Sequence, residues 1–265
     1  MNDSYAQRFG GIARLYGVAA LERFRGAHVA VVGIGGVGSW AAEALARSGV
    51  GRITLIDLDD LCITNTNRQI HALQETIGQS KVAVMAERLR AINPELLCEP
   101  LEAFVCEDNL ADLLLQGYDY VIDAIDSVRA KAAMIACCRR HKVPIITIGG
   151  AGGQIDPTQI AVADLSRTTQ DPLAAKLRSH LRRFHGFSKN AKRRFEVPCV
   201  YSTEQLRYPQ ADGSLCGAKS GTEGEGSMRL DCNSGFGAST CVTASFGFVA
   251  VARVLAKLAE QALPA

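Results

Sequence analysis

Residues 28–38 read HVAVVGIGGVG. A short apolar run, 28–32, ends in Gly33-Ile34-Gly35-Gly36-Val37-Gly38. A helix is expected over 37–47, closed by Ser48-Gly49, since glycine tolerates the positive φ common just past a helix end. A second apolar run, 52–56, ends at Asp57. Strand, glycine loop, helix, strand and acid together describe a nucleotide-binding βαβ unit. In such a loop Gly33, Gly35, Gly36 and Gly38 let backbone N–H groups approach phosphate oxygens, and the helix N-terminus adds partial positive charge. Asp57, 24 residues beyond Gly33, is placed to accept from ribose hydroxyls. The loop implies an adenine nucleotide, and NAD fits it as well as ATP does.

The alternation continues downstream. A helix is expected over 80–92, with Ser80 as N-cap and Asn93-Pro94 as its stop. Strands are expected near 96–99, 120–123 and 144–148, with helices near 107–116 and 127–141 between them. This pattern predicts an α/β fold: a Rossmann-type, mainly parallel sheet with helices on both faces. Ligands on such sheets bind beyond the carboxyl ends of strands, where Gly33, Asp57 and the pair Asp123 and Asp126 all lie. After 149–153 (GGAGG) the pattern loosens to one strand near 160–163, a basic helix from Pro172, a Gly/Lys/Glu stretch over 216–226 and an apolar C-terminal helix. The chain reads as a single domain, with a nucleotide core over about 1–165 and a smaller C-terminal lobe over about 166–265.

Two cations separate ATP from NAD. Attack at the α-phosphorus of a triphosphate requires the departing pyrophosphate to be neutralised by side chains or metal. Arg68, in the run ITNTNRQ (63–69), and Lys81, at the start of the next predicted helix, form a candidate polyphosphate clamp. Lys81 would oppose the helix dipole unless an anion sat beside it.

Gly33 to Gly38, Asp57, Asn65-x-x-Arg68-Gln69, Lys81 and Asp123-x-x-Asp126 resemble the motifs of the ubiquitin-activating-type adenylyltransferases, over roughly residues 8–165. The resemblance implies that Asp57 holds the ribose and that Asn65, Arg68 and Lys81 contact phosphates, with Gln69 part of the same nucleotide site. It also implies that Asp126 organises Mg²⁺. Within that family an N-terminal arginine reaches ATP across a homodimer interface, and Arg8 and Arg14 are both candidates. The sulfur-carrier-activating members use two CxxC pairs for zinc. This chain has none, so no zinc is expected. The runs RFGGIARLYG (8–17), ITNTNRQIHA (63–72), GGAGGQIDPTQI (149–160) and QDPLAAKLR (170–178) resemble a narrower family, the tRNA threonylcarbamoyladenosine dehydratases, over nearly the whole chain. That resemblance implies ATP-driven activation of the threonine carboxylate on the modified adenosine beside the anticodon, followed by ring closure with net loss of water. It suggests a cysteine desulfurase or sulfur-acceptor system as a companion.

Charge distribution bears on the partner. Between 172 and 195 stand eight basic residues (Lys176, Arg178, Arg182, Arg183, Lys189, Lys192, Arg193, Arg194) and no acidic one. Removing that +8 from the net +2 leaves −6 for the rest of the chain. Arg178, Arg182 and Arg183 are expected on one helical face, with His180, Phe184, His185 and Phe187 interleaved. Cations among aromatics suit RNA phosphates and stacked bases, whereas a solvated amphipathic helix would give the same pattern without RNA. Other readings are an activator of a sulfur-carrier protein, an NAD-linked oxidoreductase, which leaves Arg68 and Lys81 unexplained, and a non-catalytic nucleotide-sensing RNA-binding scaffold.

Nine cysteines without a signal-like N-terminal apolar stretch suggest a reduced, cytoplasmic setting. Cys232, in the turn-like run DCNSG (231–235), is a candidate nucleophile or pocket-lining residue. Residues 232–252 carry no charge and meet the length criterion for a membrane span. Their three glycines and five Ser/Thr favour a buried helix packed on the sheet.

Overall fold

A computed structural model describes residues 3–210, 214–216 and 236–262. Helices α1 (Asp3–Tyr16) and α2 (Val18–Arg25) precede the sheet. Then follow β1 (His28–Val32), α3 (Gly38–Arg47), β2 (Arg52–Ile56), α4 (Lys81–Ile92), β3 (Leu97–Leu101), α5 (Leu110–Leu114), β4 (Tyr120–Asp123), α6 (Val128–His141) and β5 (Ile145–Ile148). The second half supplies β6 (Ile160–Asp164), α7 (Pro172–Phe184), β7 (Pro198–Ser202), the short pair β8 (Tyr208–Pro209) and β9 (Leu215–Cys216), and α8 (Thr240–Glu260).

The main sheet has seven strands in the order β3-β2-β1-β4-β5-β7-β6. All neighbours are parallel except β6, which runs antiparallel to β7. The central strands β1, β4 and β5 are buried at every residue, as expected where helices cover both faces. Val29, Val31, Ile53 and Leu55 pack into one layer with α3, α4 and α8. Ala30, Val32 and Val121 pack into the other with α6 and α7. From β1 the chain moves to β2 and β3 on one side, then returns to β4 on the other. The crevice between the carboxyl ends of β1 and β4 is therefore the topological switch point.

Several elements differ from expectation. The helix expected over 107–116 is a 3-10 turn, Glu107–Asn109, followed by a five-residue α5. β3 continues through Pro100, which an edge strand tolerates because one side of its backbone needs no partner. β7 was not anticipated. It sits between β5 and β6, so the lobe expected beyond residue 165 shares the main sheet. The apolar helix begins at Thr240 and runs past Arg253 and Lys257 to Glu260. It is long and apolar enough to cross a membrane by composition, yet ten of its residues are buried, in part against α3. Gly247 permits that approach, since a Cβ there would lie 2.7 Å from the Val37 carbonyl oxygen and 2.9 Å from the Ala41 nitrogen.

Candidate active site

A cleft of about 300 Å³ opens at the switch point. Gly33, Gly35 and Gly36 form its floor, Asp57, Arg68, Gln69 and Lys81 one side, and Asp126 and Ser127 the other. Gly33 adopts φ +88°, and a Cβ on it would approach Ile125 Cγ2 to 2.9 Å, so only glycine fits this turn. Gly38 does not line the cleft. A Cβ there would lie 1.7 Å from the Gly33 carbonyl oxygen, so its role is to let α3 close against the loop.

Asp57 shapes that loop directly. Its Oδ2 accepts from the Ile34 N–H at 2.6 Å, and its Oδ1 accepts from the Asp59 N–H at 2.9 Å. Half-buried and at the cleft wall, the carboxylate thus orients the glycine loop as well as facing a ligand site. Arg68 lies across Gly36, where a Cβ would come within 3.1 Å of Arg68 Cγ. Its Nη1 donates to the Thr64 carbonyl at 2.9 Å and to Asn67 Oδ1 at 3.0 Å, and Trp40 Nε1 donates to the Arg68 carbonyl at 3.0 Å. Gln69 is buried at the wall, and its Oε1 has no hydrogen-bond partner among the described residues.

Lys81 opens α4 and is buried, and its Nζ donates to Asp59 Oδ2 at 2.7 Å. The anion required at this helix start is therefore supplied by the chain itself. Asp59 is 72% exposed at its side chain and lines the same cleft. Sequence reasoning missed it, because one aspartate in the acidic run 57–60 carries no periodic signal. Phe104, 65% exposed at the cleft wall beside Ala103 and Val105, was missed for a similar reason: a lone aromatic after an edge strand has no motif.

Asn65, Asp123, Arg14 and Arg8 are absent from the lining of this chain's own cleft, the two arginines being the ones expected to reach ATP across a homodimer interface. Asn65 is buried outside the cleft lining, where its Oδ1 accepts from the Cys62 N–H at 3.0 Å and caps the Ile63–Asn65 turn. Arg14 is exposed on α1, away from the lining of its own chain's cleft, because α1 packs on Gly49, Ile92 and Glu95, which precede β2 and β3 at the strands' amino ends. Arg8 donates from Nη1 to the Ile92 carbonyl at 3.2 Å, at the end of α4. Asp123 also withdraws. It is fully buried, bonded by Lys131 Nζ at 2.9 Å and by Thr147 Oγ1 at 2.5 Å. Lys131 donates further to the Ile125 carbonyl at 2.9 Å, fixing the loop that carries Asp126.

The far wall is built from 149–152, Pro172, Leu173, Leu206 and Phe236. Asp171 welds this wall to α7. Its Oδ1 accepts from the Ala174 N–H at 2.9 Å as the helix N-cap, and its Oδ2 accepts from the Gly150 N–H at 2.9 Å. A Cβ on Gly149 would lie 1.9 Å from that Oδ2. Burial raises the Asp171 pKa despite these donors.

The eight basic positions divide. Lys176, Arg183, Lys189, Lys192, Arg193 and Arg194 are exposed. Arg178 and Arg182 are half-buried, contrary to the single face expected with Arg183. Arg178 donates to Thr168 Oγ1, and Arg182 donates to the Ser188 carbonyl at 3.3 Å while lying over the Phe195 ring. On this helix 178 and 182 are a turn apart and point inward, whereas 183 lies about 100° further round. Cys232 lies outside the described residues. Among those residues no group of three or more His, Cys, Asp or Glu could hold a metal ion.

Residues 9–260 match the ThiF family. The chain belongs to the ThiF family. The tRNA threonylcarbamoyladenosine dehydratase of Escherichia coli K12 is 61% identical over 262 residues, covering 99% of this chain and 97% of that protein. The enzyme of that name from Haemophilus influenzae is 55% identical over 260 residues, covering 98% and 96%. A solved structure of the Escherichia coli dehydratase in complex with ATP is 57% identical and superposes with a TM-score of 0.87, covering 98% of this chain and 97% of that one. This ThiF chain therefore shares its fold with that solved structure well beyond the glycine loop.

Proposed function

We propose that this chain uses ATP to dehydrate threonylcarbamoyladenosine in tRNA. The observation that carries the reading is the cleft itself: a glycine floor with two side-chain cations, Arg68 and buried Lys81, on one wall. Similarity over 99% of the chain to a dehydratase of that name supports the substrate. Asp57 would hold the ribose and the glycine loop the α-phosphate, with the exposed Phe104 ring on the cleft wall available to the adenine. A carboxylate oxygen of the threonyl group attacks the α-phosphorus, and pyrophosphate leaves toward Lys81 and Arg68. A nitrogen of the same substrate group then attacks the acyl carbon, loses its proton and releases AMP, closing a ring. The carboxylate oxygen departs with AMP, so the modified base has lost one water. Since that nucleophile is intramolecular, orientation in the cleft supplies much of the rate.

One exposed carboxylate, Asp126, beside a phosphate site suits Mg²⁺, which keeps most of its ligands as water and substrate phosphate. Bound there, Mg²⁺ would neutralise pyrophosphate charge. The reading carries with it a cytoplasmic homodimer, in which Arg8 or Arg14 of one protomer approaches the other's cleft. It also carries a cysteine desulfurase or sulfur acceptor as companion, which co-purification would reveal.

The deciding experiment incubates the protein with ATP, Mg²⁺ and tRNA bearing threonylcarbamoyladenosine, then weighs the modified nucleoside. Loss of one water is expected, and an unchanged mass with authentic substrate would overturn the reading. Lys81→Ala should cut turnover about 10²–10³-fold, the usual effect of removing one group that stabilises developing charge. It should leave tRNA retention intact.

A further inference from the structure

α6 and α7 both begin at the cleft and pack side by side as they leave it. Ser127 and Leu173 line the cleft, while Val128 and Ala175 already line a second depression beyond it. That depression continues over Lys176, Ser179, His180, Arg183 and Phe184. A third depression follows, lined by Arg139, Arg140, His185, Phe187 and Arg194. His180 and His185, 5.7 Å apart between ring centroids, bridge the two. The cleft therefore leads into a continuous seam along the two helices. Over the 13 residues of α7 it extends about 20 Å, room for about six stacked nucleotides at the ~3.4 Å spacing of a stacked strand.

The lining has the chemistry of a single-strand RNA track. Phe184 is 59% exposed, with His180 packed on it at 4.5 Å between centroids and the Arg183 guanidinium 5.0 Å from its ring centre. A large exposed aromatic backed by an imidazole and a guanidinium is a platform for a base. Cations flank it throughout: Lys176 and Arg183 on α7, Arg140 on α6 and Arg194 beyond, besides Arg139, whose charge is met by Glu196. Two carboxylates border the seam, and each has a cation of its own. Glu107 pairs with Arg129 at 2.9 Å, and Glu196 pairs with Arg139. Arg139 and Arg140 fall outside the basic run evident in the sequence, so only the packing of α6 on α7 brings them into it.

We propose that the strand flanking the reactive nucleotide runs along the α6–α7 seam, stacking a base on Phe184 and His180 and lodging phosphates by Arg183, Arg140 and Arg194. This rests on the reading of tRNA as substrate. Continuity with the cleft and the excess of cations favour RNA over a protein segment.

The test uses the full chain and a labelled tRNA carrying threonylcarbamoyladenosine, with affinity measured over a range of salt. His180→Ala with Phe184→Ala should raise the tRNA Kd and KM about tenfold or more, with the salt dependence nearly unchanged. Phe184→Tyr, made in place of Phe184→Ala, should keep the affinity. Arg140→Ala with Arg183→Ala should instead lower the slope of log affinity against log salt by about 0.7 for each phosphate no longer neutralised. ATP affinity and thermal unfolding should stay at wild-type values in all three. If the wild-type chain dehydrates tRNA but these variants bind it unchanged, the seam is not the RNA track. If the wild-type chain leaves authentic modified tRNA untouched, the parent reading fails and the seam with it.

Discussion

Lys131 and Asp123 form an ion pair with no exposure at all, beneath the loop that ends at Asp126. A buried pair seldom adds net stability over an apolar one, but removing one partner leaves an unpaired buried charge. Lys131→Met should therefore destabilise the fold by about 3–5 kcal/mol in denaturant unfolding. Pairing it with Asp123→Asn should recover most of that loss. His71 gives a second residue-scale expectation. Both its ring nitrogens are buried without hydrogen-bond partners among the described residues, and burial, then the charges of Lys81 and Arg88, push its pKa down to about 4. The folded state holds this ring neutral while the unfolded chain protonates near its ordinary value. Stability from His71 is thus complete above that value and is lost as pH falls toward 4. The loss amounts to roughly 3 kcal/mol, at about 1.4 kcal/mol for each tenfold fall in the ring's proton affinity. In His71→Leu, unfolding followed between pH 7 and 4 should lack that component.

Among the elements, α8 depends on one position. Because Gly247 lets the helix backbone meet Val37 and Ala41, Gly247→Ala must shift α8 or α3, at a cost of about 1–3 kcal/mol. Val37 lies on the cleft wall as the N-cap of α3, so ATP affinity should fall along with Tm. Calorimetry and equilibrium ATP binding would check both. At this scale the sequence was readable where an element carried punctuation. β1 and β2 end at glycine and aspartate, α4 and α7 start at capping residues, and all four lie within a residue of expectation. β7 was not readable. Its five residues begin at Pro198 and alternate with nothing, and it is defined only by pairing with β5 and β6 from other parts of the chain. The site divides the same way. Gly33, Asp57, Arg68, Lys81 and Asp126 reach one cleft because strand ends converge there. Asn65 and Asp123 carry the same motif letters but spend their side chains on a turn cap and a buried pair.

The whole molecule is organised around one crevice, and a ligand that fills it should stabilise the entire sheet. ATP at about 100 times its Kd contributes about 2.7 kcal/mol by mass action. For a chain of this size that corresponds to a rise in Tm of about 5–10 °C. A scan with and without nucleotide tests it, and an unchanged Tm at saturating ATP would count against the cleft as the ATP site.

Asp171 has a consequence of its own at this scale. One carboxylate clasps both the 149–150 wall and the first turn of α7, so neither can shift without the other. Two ligands that lean on opposite sides of such a clasp cannot be thermodynamically independent. Whatever factor nucleotide contributes to RNA affinity, RNA must return to nucleotide affinity, because the free-energy cycle closes. Asp171→Ala should bring that shared factor toward one, even where each ligand alone still binds.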